Sequence, residues 1–395
     1  MESQAVARTV TVNFRRNGHR FVIAFALMVT VVACAATPGI ADKSSAAATP
    51  PWSACTSGLN VSGSPRIIPE GVILDAVSSP TASDAWEVGS LGAGAGATPV
   101  AEYWDGSTWT VIPVDLLSIE RVSLIQATFD SVVAFSPTDV WVGGTQEVVG
   151  EEGDAFVPLL LRWNGSEWLQ ESLPIEDEAA GVVALAGTSG GDLWVAEDTN
   201  SNTGTYLMWH RNGSSWGWQD AVISVRTLYA YAPGFVIAGG QYGGNAAATI
   251  NFDSGGNFAF TTDPGSTAIL ALSGTGLDDL WAYALPTAFD VPWELQHYNG
   301  SSWTNVASSW GPVTVASVGT DRAEAVVEND GYTQALQVSV TDGSVVTSET
   351  PLTWDPSLGS EIEIYAMAST PRGALFAVGE IYGNRNPEGI LYRDC

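Results

Sequence analysis

Two kinds of residue in this 395-residue sequence invite a chemical reading. Asp84, Asp139, Asp192 and Asp279 are carboxylates, and His210 and His297 are the imidazoles outside the N-terminal segment. A metal site or a His-based proton relay is therefore the first chemistry to test. The spacing argues against both. Each histidine falls two residues before an Asn-Gly turn, in a slot that Tyr103 and Arg162 fill elsewhere, and no second His stands at metal-ligand spacing. A position that accepts Tyr, Arg or His reads as a strand position, and no metal is expected there. The aspartates each stand two residues before a large residue, Trp86, Trp141, Trp194 or Trp281. An Asp before a strand accepts backbone N–H bonds across a tight turn, so these acids read as structural. No G-x-S-x-G, H-E-x-x-H or G-x-x-x-x-G-K-[ST] pattern occurs, so the common hydrolase, zincin and P-loop chemistries have no residues to carry them.

The elements that position these residues follow from their recurrence. A turn running into a strand, Ser79 to Trp86, is followed by an aromatic hairpin, Tyr103 to Trp109. The pair returns as Ser136–Trp141 with Trp163–Trp168, as Asp192–Trp194 with Asn212–Trp216, and as Asp279–Trp281 with Asn299–Trp303. Short strands repeating at roughly 40 to 55 residues mean stacked blades. Pro and Ser set the first turn, and Asp-Gly or Asn-Gly supplies the hairpin. Degenerate copies run from Thr227 to Asp253 and from Val313 to Gly343, and a last unit runs from Ile364 to Arg393. The expected fold is all-β, a seven-bladed β-propeller of four-stranded antiparallel blades. Its repeated tryptophans fill the wedges between blades. The last unit has only three strands, so an N-terminal strand, Leu59 to Val61, is expected to close it, with a Cys55–Cys395 disulfide across the ends in an oxidising compartment.

Residues 1–33 carry Arg8, Arg15, Arg16 and Arg20, then an apolar run from Phe21 to Val32 too short to span a bilayer comfortably. The run ends Val31-Val32-Ala33-Cys34, which resembles the lipobox of bacterial lipoproteins. The resemblance implies a lipidated Cys34 on the extracellular face of the cell membrane; cleavage at Ala33-Cys34-Ala35 or Gly39-Ile40-Ala41 without a lipid is the alternative, giving a secreted protein. Residues 34–51, rich in Ala, Ser, Thr and Pro, read as a tether, and residues 52–395 as the folded domain. The formal charge is −29, and Lys43 is the one lysine, so nucleic acid is excluded as a partner and the membrane is met only through an anchor.

Asn251-Phe252-Asp253-Ser254-Gly255-Gly256-Asn257-Phe258 resembles the Asp-box hairpin of sialidase-type propellers, within a chain of Asp-box and kelch-like repeats. It departs at Asn251, and Arg66-Ile67-Ile68-Pro69 has one residue more than the Arg-Ile-Pro element of those enzymes. The few arginines offer no carboxylate-binding cluster, so the resemblance implies the blade architecture and not the catalysis.

Function is expected on the face that carries the long, irregular loops between second and third strands. These offer Gln241, Tyr242, Asn245, Asp290, Trp293, Tyr382, Asn384 and Arg385. Amides and carboxylates hydrogen-bond hydroxyls and an exposed ring stacks on a sugar, so a glycan is the ligand class expected, with Trp293 outside every repeat slot. Glu151, Glu152 and Asp154 offer oxygens that Ca²⁺ would accept, without EF-hand or nonapeptide spacing; no other cofactor is expected. The reading is a monomeric, surface-anchored binding module. A secreted glycan-active enzyme with an unrecognised site, or a scaffold for an envelope protein, are its alternatives.

Overall fold

The computed structural model describes residues 11–16, 19–24, 66–67, 71–81, 83–116, 123–150, 153–174, 179–199, 206–243, 246–263, 266–286, 291–310, 314–329, 332–352, 361–369, 375–382 and 388–394. The chain forms two compact units, residues 1–49 and 50–395. In the first, Thr11–Arg16 pairs antiparallel with His19–Ala24. In the second, every described element is a strand, and they form seven four-stranded antiparallel sheets in chain order. The fold is a seven-bladed β-propeller.

Blade 1 spans Val72–Val111, blade 2 Ser123–Gln170, blade 3 Ala179–Ala221, blade 4 Ser224–Asp263, blade 5 Ser266–Ser309, blade 6 Val315–Pro351 and blade 7 Glu361–Asp394. The degenerate fourth and sixth units thus fold as full blades. The fourth strand of blade 7 is the two-residue Arg66–Ile67, paired at Arg66 to Leu391 and Ile67 to Ile390. The expected strand Leu59 to Val61 lies outside the described residues, and so do Cys34, Cys55 and Cys395; no disulfide occurs among the described residues.

A blade is apolar on both faces because each must bury itself against a neighbour. Seven apolar clusters result, each shared between two adjacent blades. Trp86 of blade 1 lies with Phe129 and Val140 of blade 2, and Val72 and Leu74 of blade 1 lie with Phe376 and Val378 of blade 7, which brings the ring round on itself. Trp86, Trp141, Trp194 and Trp281 are fully buried, as their recurrence leads one to expect, each contributing about 2–3 kcal/mol by apolar burial. Hydroxyls staple the inner strands: Ala134 N–H donates to Ser78 Oγ at 3.0 Å and Ser317 N–H to Ser273 Oγ at 2.8 Å.

Candidate functional site

The strand order places the ends of the second strands, the starts of the third strands and the blade-to-blade connections on one face. Gln241 and Tyr242 end the second strand of blade 4, and Tyr242 is 46% exposed. Trp293 opens the third strand of blade 5, half-buried, its ring 5.4 Å from the fully buried Tyr283. It is tied to the core rather than standing free. Tyr382 ends the second strand of blade 7, paired with Glu361. Asn245, Asp290, Asn384, Arg385, Glu151 and Glu152 lie outside the described residues, and Asp154 is exposed at the start of a strand. The same face presents Trp310, 58% exposed, whose backbone N–H donates to Glu328 O of the next blade at 2.8 Å. Trp310 was not among the expected site residues. Its signal was available, because like Trp293 it stands outside the repeat slots.

A second set of residues surrounds the axis. In six blades the innermost strand carries a one-residue irregularity, at Asp75, Asp130, Val183, Arg226, Leu270 and Tyr365. A β-bulge re-aims the extra side chain, and on an innermost strand the free direction is the axis. The second strand makes room with glycine: a Cβ on Gly144 would lie 2.0 Å from Thr128 O, and Gly89, Gly240 and Gly379 meet the same obstruction. A glycine three residues after a buried residue was therefore the sequence signal in four of the six blades; blades 3 and 5 carry Glu197 and Ala284 there instead.

Asp75, Asp130 and Glu380 come from three consecutive blades of the ring, blades 1, 2 and 7. Burial raises the Asp75 carboxyl to about 7, with Asp130 and then Glu380 adding like charge. Asp130 reaches solvent, yet protein crowds it on enough sides to raise it to about 6, partly offset by a hydrogen bond from the Thr128 hydroxyl. Glu380 is buried and accepts a hydrogen bond from the Tyr365 hydroxyl. Asp75 lies near the start of a first strand and Glu380 near the end of a second, hence toward the long-loop face, and Asp130 lies midway along Ser123–Ser136. Asp75 and Asp130 can exchange a proton near neutral pH, and the ionised carboxylates can accept hydrogen bonds from hydroxyls or pair with a cation.

On the opposite, short-turn side, the four recurring aspartates do not bond the way the sequence suggests. Their partner is the third-strand residue: Tyr103 OH donates to Asp84 at 2.6 Å, Arg162 Nε to Asp139 at 2.9 Å, His210 Nε2 to Asp192 at 2.8 Å and His297 Nε2 to Asp279 at 2.9 Å. The hydroxyls of Thr81, Thr188 and Thr275 complete three of them. Among the described residues backbone N–H enters once, from Gly234 of the next blade to Asp192 at 3.0 Å. The third-strand residue in turn lies on the buried tryptophan, with His210 4.1 Å from Trp194 and His297 4.4 Å from Trp281. The turn motif and the hairpin motif of one repeat are thus bonded to each other within the blade. The hairpin Asx residues close their own turns, as Asn164 Oδ1 does by accepting from Ser166 N and Glu167 N.

No protein-family model matches the sequence, and no curated protein matches it. Solved structures do. The GH74 xyloglucanase from Xanthomonas campestris is 13% identical with a TM-score of 0.51, over 80% of this chain and 53% of the enzyme, so this chain spans about half of that protein. Chaetomium thermophilum Sqt1 bound to the N-terminus of ribosomal protein L10 is 12% identical with a TM-score of 0.50, over 83% and 98% of the two chains. The six-bladed fucose-recognising lectin of Aleuria aurantia is 12% identical with a TM-score of 0.43, over 72% and 97%. At such identities the likeness is one of fold.

Proposed function

We propose that this protein is a binding module that takes a glycan on the long-loop face of its ring, exported by the N-terminal segment and held at the cell surface through a lipid on Cys34. The observation that carries the ligand class is the pair of exposed rings, Tyr242 at 46% and Trp310 at 58%, on the face where the fold gathers its irregular loops. Flat aromatic surfaces stack on the apolar faces of sugars, and nearby amides and carboxylates such as Gln241 hydrogen-bond hydroxyls. The fold does not choose the ligand, since a xyloglucanase and a protein bound to a ribosomal N-terminus share it. The chemistry of the face is what supports a glycan.

A glycan and cell-wall polysaccharide array probed with the purified protein, with and without Ca²⁺, tests this reading. Saturable binding that drops at least tenfold in Trp310→Ala or Tyr242→Ala is the expected result, with Trp293→Ala as the comparison for a ring anchored on Tyr283. No binding to any glycan overturns the ligand class and directs the search to a protein partner. A second reading, a glycan-active enzyme, draws on Asp75 and Asp130, whose carboxyls raised to about 7 and about 6 suit acid–base work. Sugar released into the medium, and abolished by Asp75→Asn without loss of binding, would favour it.

A further inference from the structure

We propose that Asp279, His297 and Asp321 form a divalent-cation site, fitted to Zn²⁺, at the seam between blades 5 and 6. The ligating atoms of the three residues all lie within 4.8 Å of one another. His297 Nε2 is 2.9 Å from Asp279 Oδ1 and 3.6 Å from Asp321 Oδ1. In a tetrahedral zinc site with bonds of about 2.0–2.2 Å, neighbouring ligand atoms stand about 3.3–3.6 Å apart. One gap lies just below that edge and the other at its upper end, and the third, between the two carboxylates, is within 4.8 Å, so side-chain movement, chiefly of the exposed Asp321, brings the three ligands around an ion.

Burial divides the site into a floor and a door. The side chains of Asp279 and His297 are 3% exposed, and that of Asp321 is 49% exposed, leaving an approach for the ion and a fourth position for water. The floor is oriented from outside: the Thr275 hydroxyl holds the second oxygen of Asp279, and the Trp281 ring lies 4.4 Å from the imidazole. Asp321 is fixed through its own backbone, whose carbonyl accepts from Val340 N–H at 2.9 Å. Charge favours a dication. Two carboxylates around one imidazole leave at least one net negative charge even when the ring is protonated, whereas a dication with a neutral imidazole brings the group to zero. The mixed set of one nitrogen and two carboxylates suits zinc better than Ca²⁺ or Mg²⁺, which prefer all-oxygen shells.

The other blades supply the control. Blade 3 has the same pair, His210 and Asp192 at 2.8 Å, but the next blade presents the Gly234 N–H there, at 3.0 Å from Asp192 Oδ1. A donor stands where blade 6 puts an acceptor. In blade 2 the histidine slot holds Arg162, already a cation, and in blade 1 it holds Tyr103. Among the described residues, three ligating side chains converge only at the seam of blades 5 and 6. The site lies on the short-turn side and is independent of the glycan reading.

Calorimetric titration of the chelator-treated full chain with Zn²⁺, and of a parallel sample with Co²⁺ followed by visible absorption, tests the assignment. One saturable site with the ligand-field bands of tetrahedral Co²⁺ is expected, weakened at least tenfold by His297→Gln and by the surface-side Asp321→Asn, and unchanged in His210→Gln. Absence of saturable binding overturns the site. So does binding that survives Asp321→Asn and His297→Gln, which would assign the metal to the general acidic surface. Equal loss in His210→Gln also overturns it, by showing that the blade network rather than the seam is being read.

Discussion

Asp192 and Asp75 are aspartates of the same ring held in opposite ways. Burial by itself pushes Asp192 up, but hydrogen bonds from Thr188, His210 and the Gly234 N–H outweigh it and hold the carboxyl below its ordinary range. At Asp75 burial acts with the like charges of Asp130 and Glu380, and the carboxyl rises to about 7. On the short-turn side the repeat provides each acid with a donor. Around the axis a bulge delivers Asp75 among like charges, and Asp130 has only a long bond, 3.4 Å, from the Thr128 hydroxyl. The difference separates carboxylates bonded to a third-strand partner from carboxylates that burial and like charge drive toward the protonated form.

The comparison can be broken at its scaffold first. Gly144→Val forces a side chain against the Thr128 carbonyl and the bulge that aims Asp130, and should cost about 3 kcal/mol by urea unfolding. A neutral outcome would mean that the bulge relaxes freely. Asp192→Ala strands three donors from Thr188, His210 and Gly234, and a loss of about 2 kcal/mol is expected; a change within 0.5 kcal/mol would remove the turn acids from the architecture. Asp75→Asn should do the reverse. Because the folded carboxyl is raised from 3.8 to about 7, the native state binds the extra proton between those values and wild-type stability falls as pH rises through that window. The variant should therefore melt about 1–3 °C above wild type at pH 8 and level with it below pH 4. Melting curves that run parallel at all pH values would show that Asp75 carries no such strain. Smallest of all, Trp310→Ala should leave stability within about 0.5 kcal/mol while removing ligand, as fits an exposed ring. A large loss of stability would make Trp310 a structural residue like Trp293.

Much of this was legible beforehand. The Asp-Gly and Asn-Gly hairpins, the periodic tryptophans and the alternation of strands predict blades because turn chemistry and side-chain alternation are local properties. The last strand was less legible: two residues at Arg66–Ile67 leave almost no pattern. Trp293 and Trp310 look alike in sequence, both outside the repeat slots, and only burial against Tyr283 tells them apart. The axial acids were marked by the glycines Gly89, Gly144 and Gly379, but a glycine in a strand has several readings until the carbonyl it makes room for is known.

By itself the sequence determined the blade, its strands, its turns and the large residues that fill the wedges, since all of these follow from residues within one repeat. What the tertiary structure alone decided is what each blade meets. Asp192–His210 and Asp279–His297 are the same words in the sequence, and one faces a backbone donor of Gly234 while the other faces the carboxylate of Asp321. Metal-ligand spacing along the chain could not reveal the second, because its third member comes from a degenerate blade across a seam. Seam contacts depend on how whole sheets pack around the ring, and no local pattern encodes that.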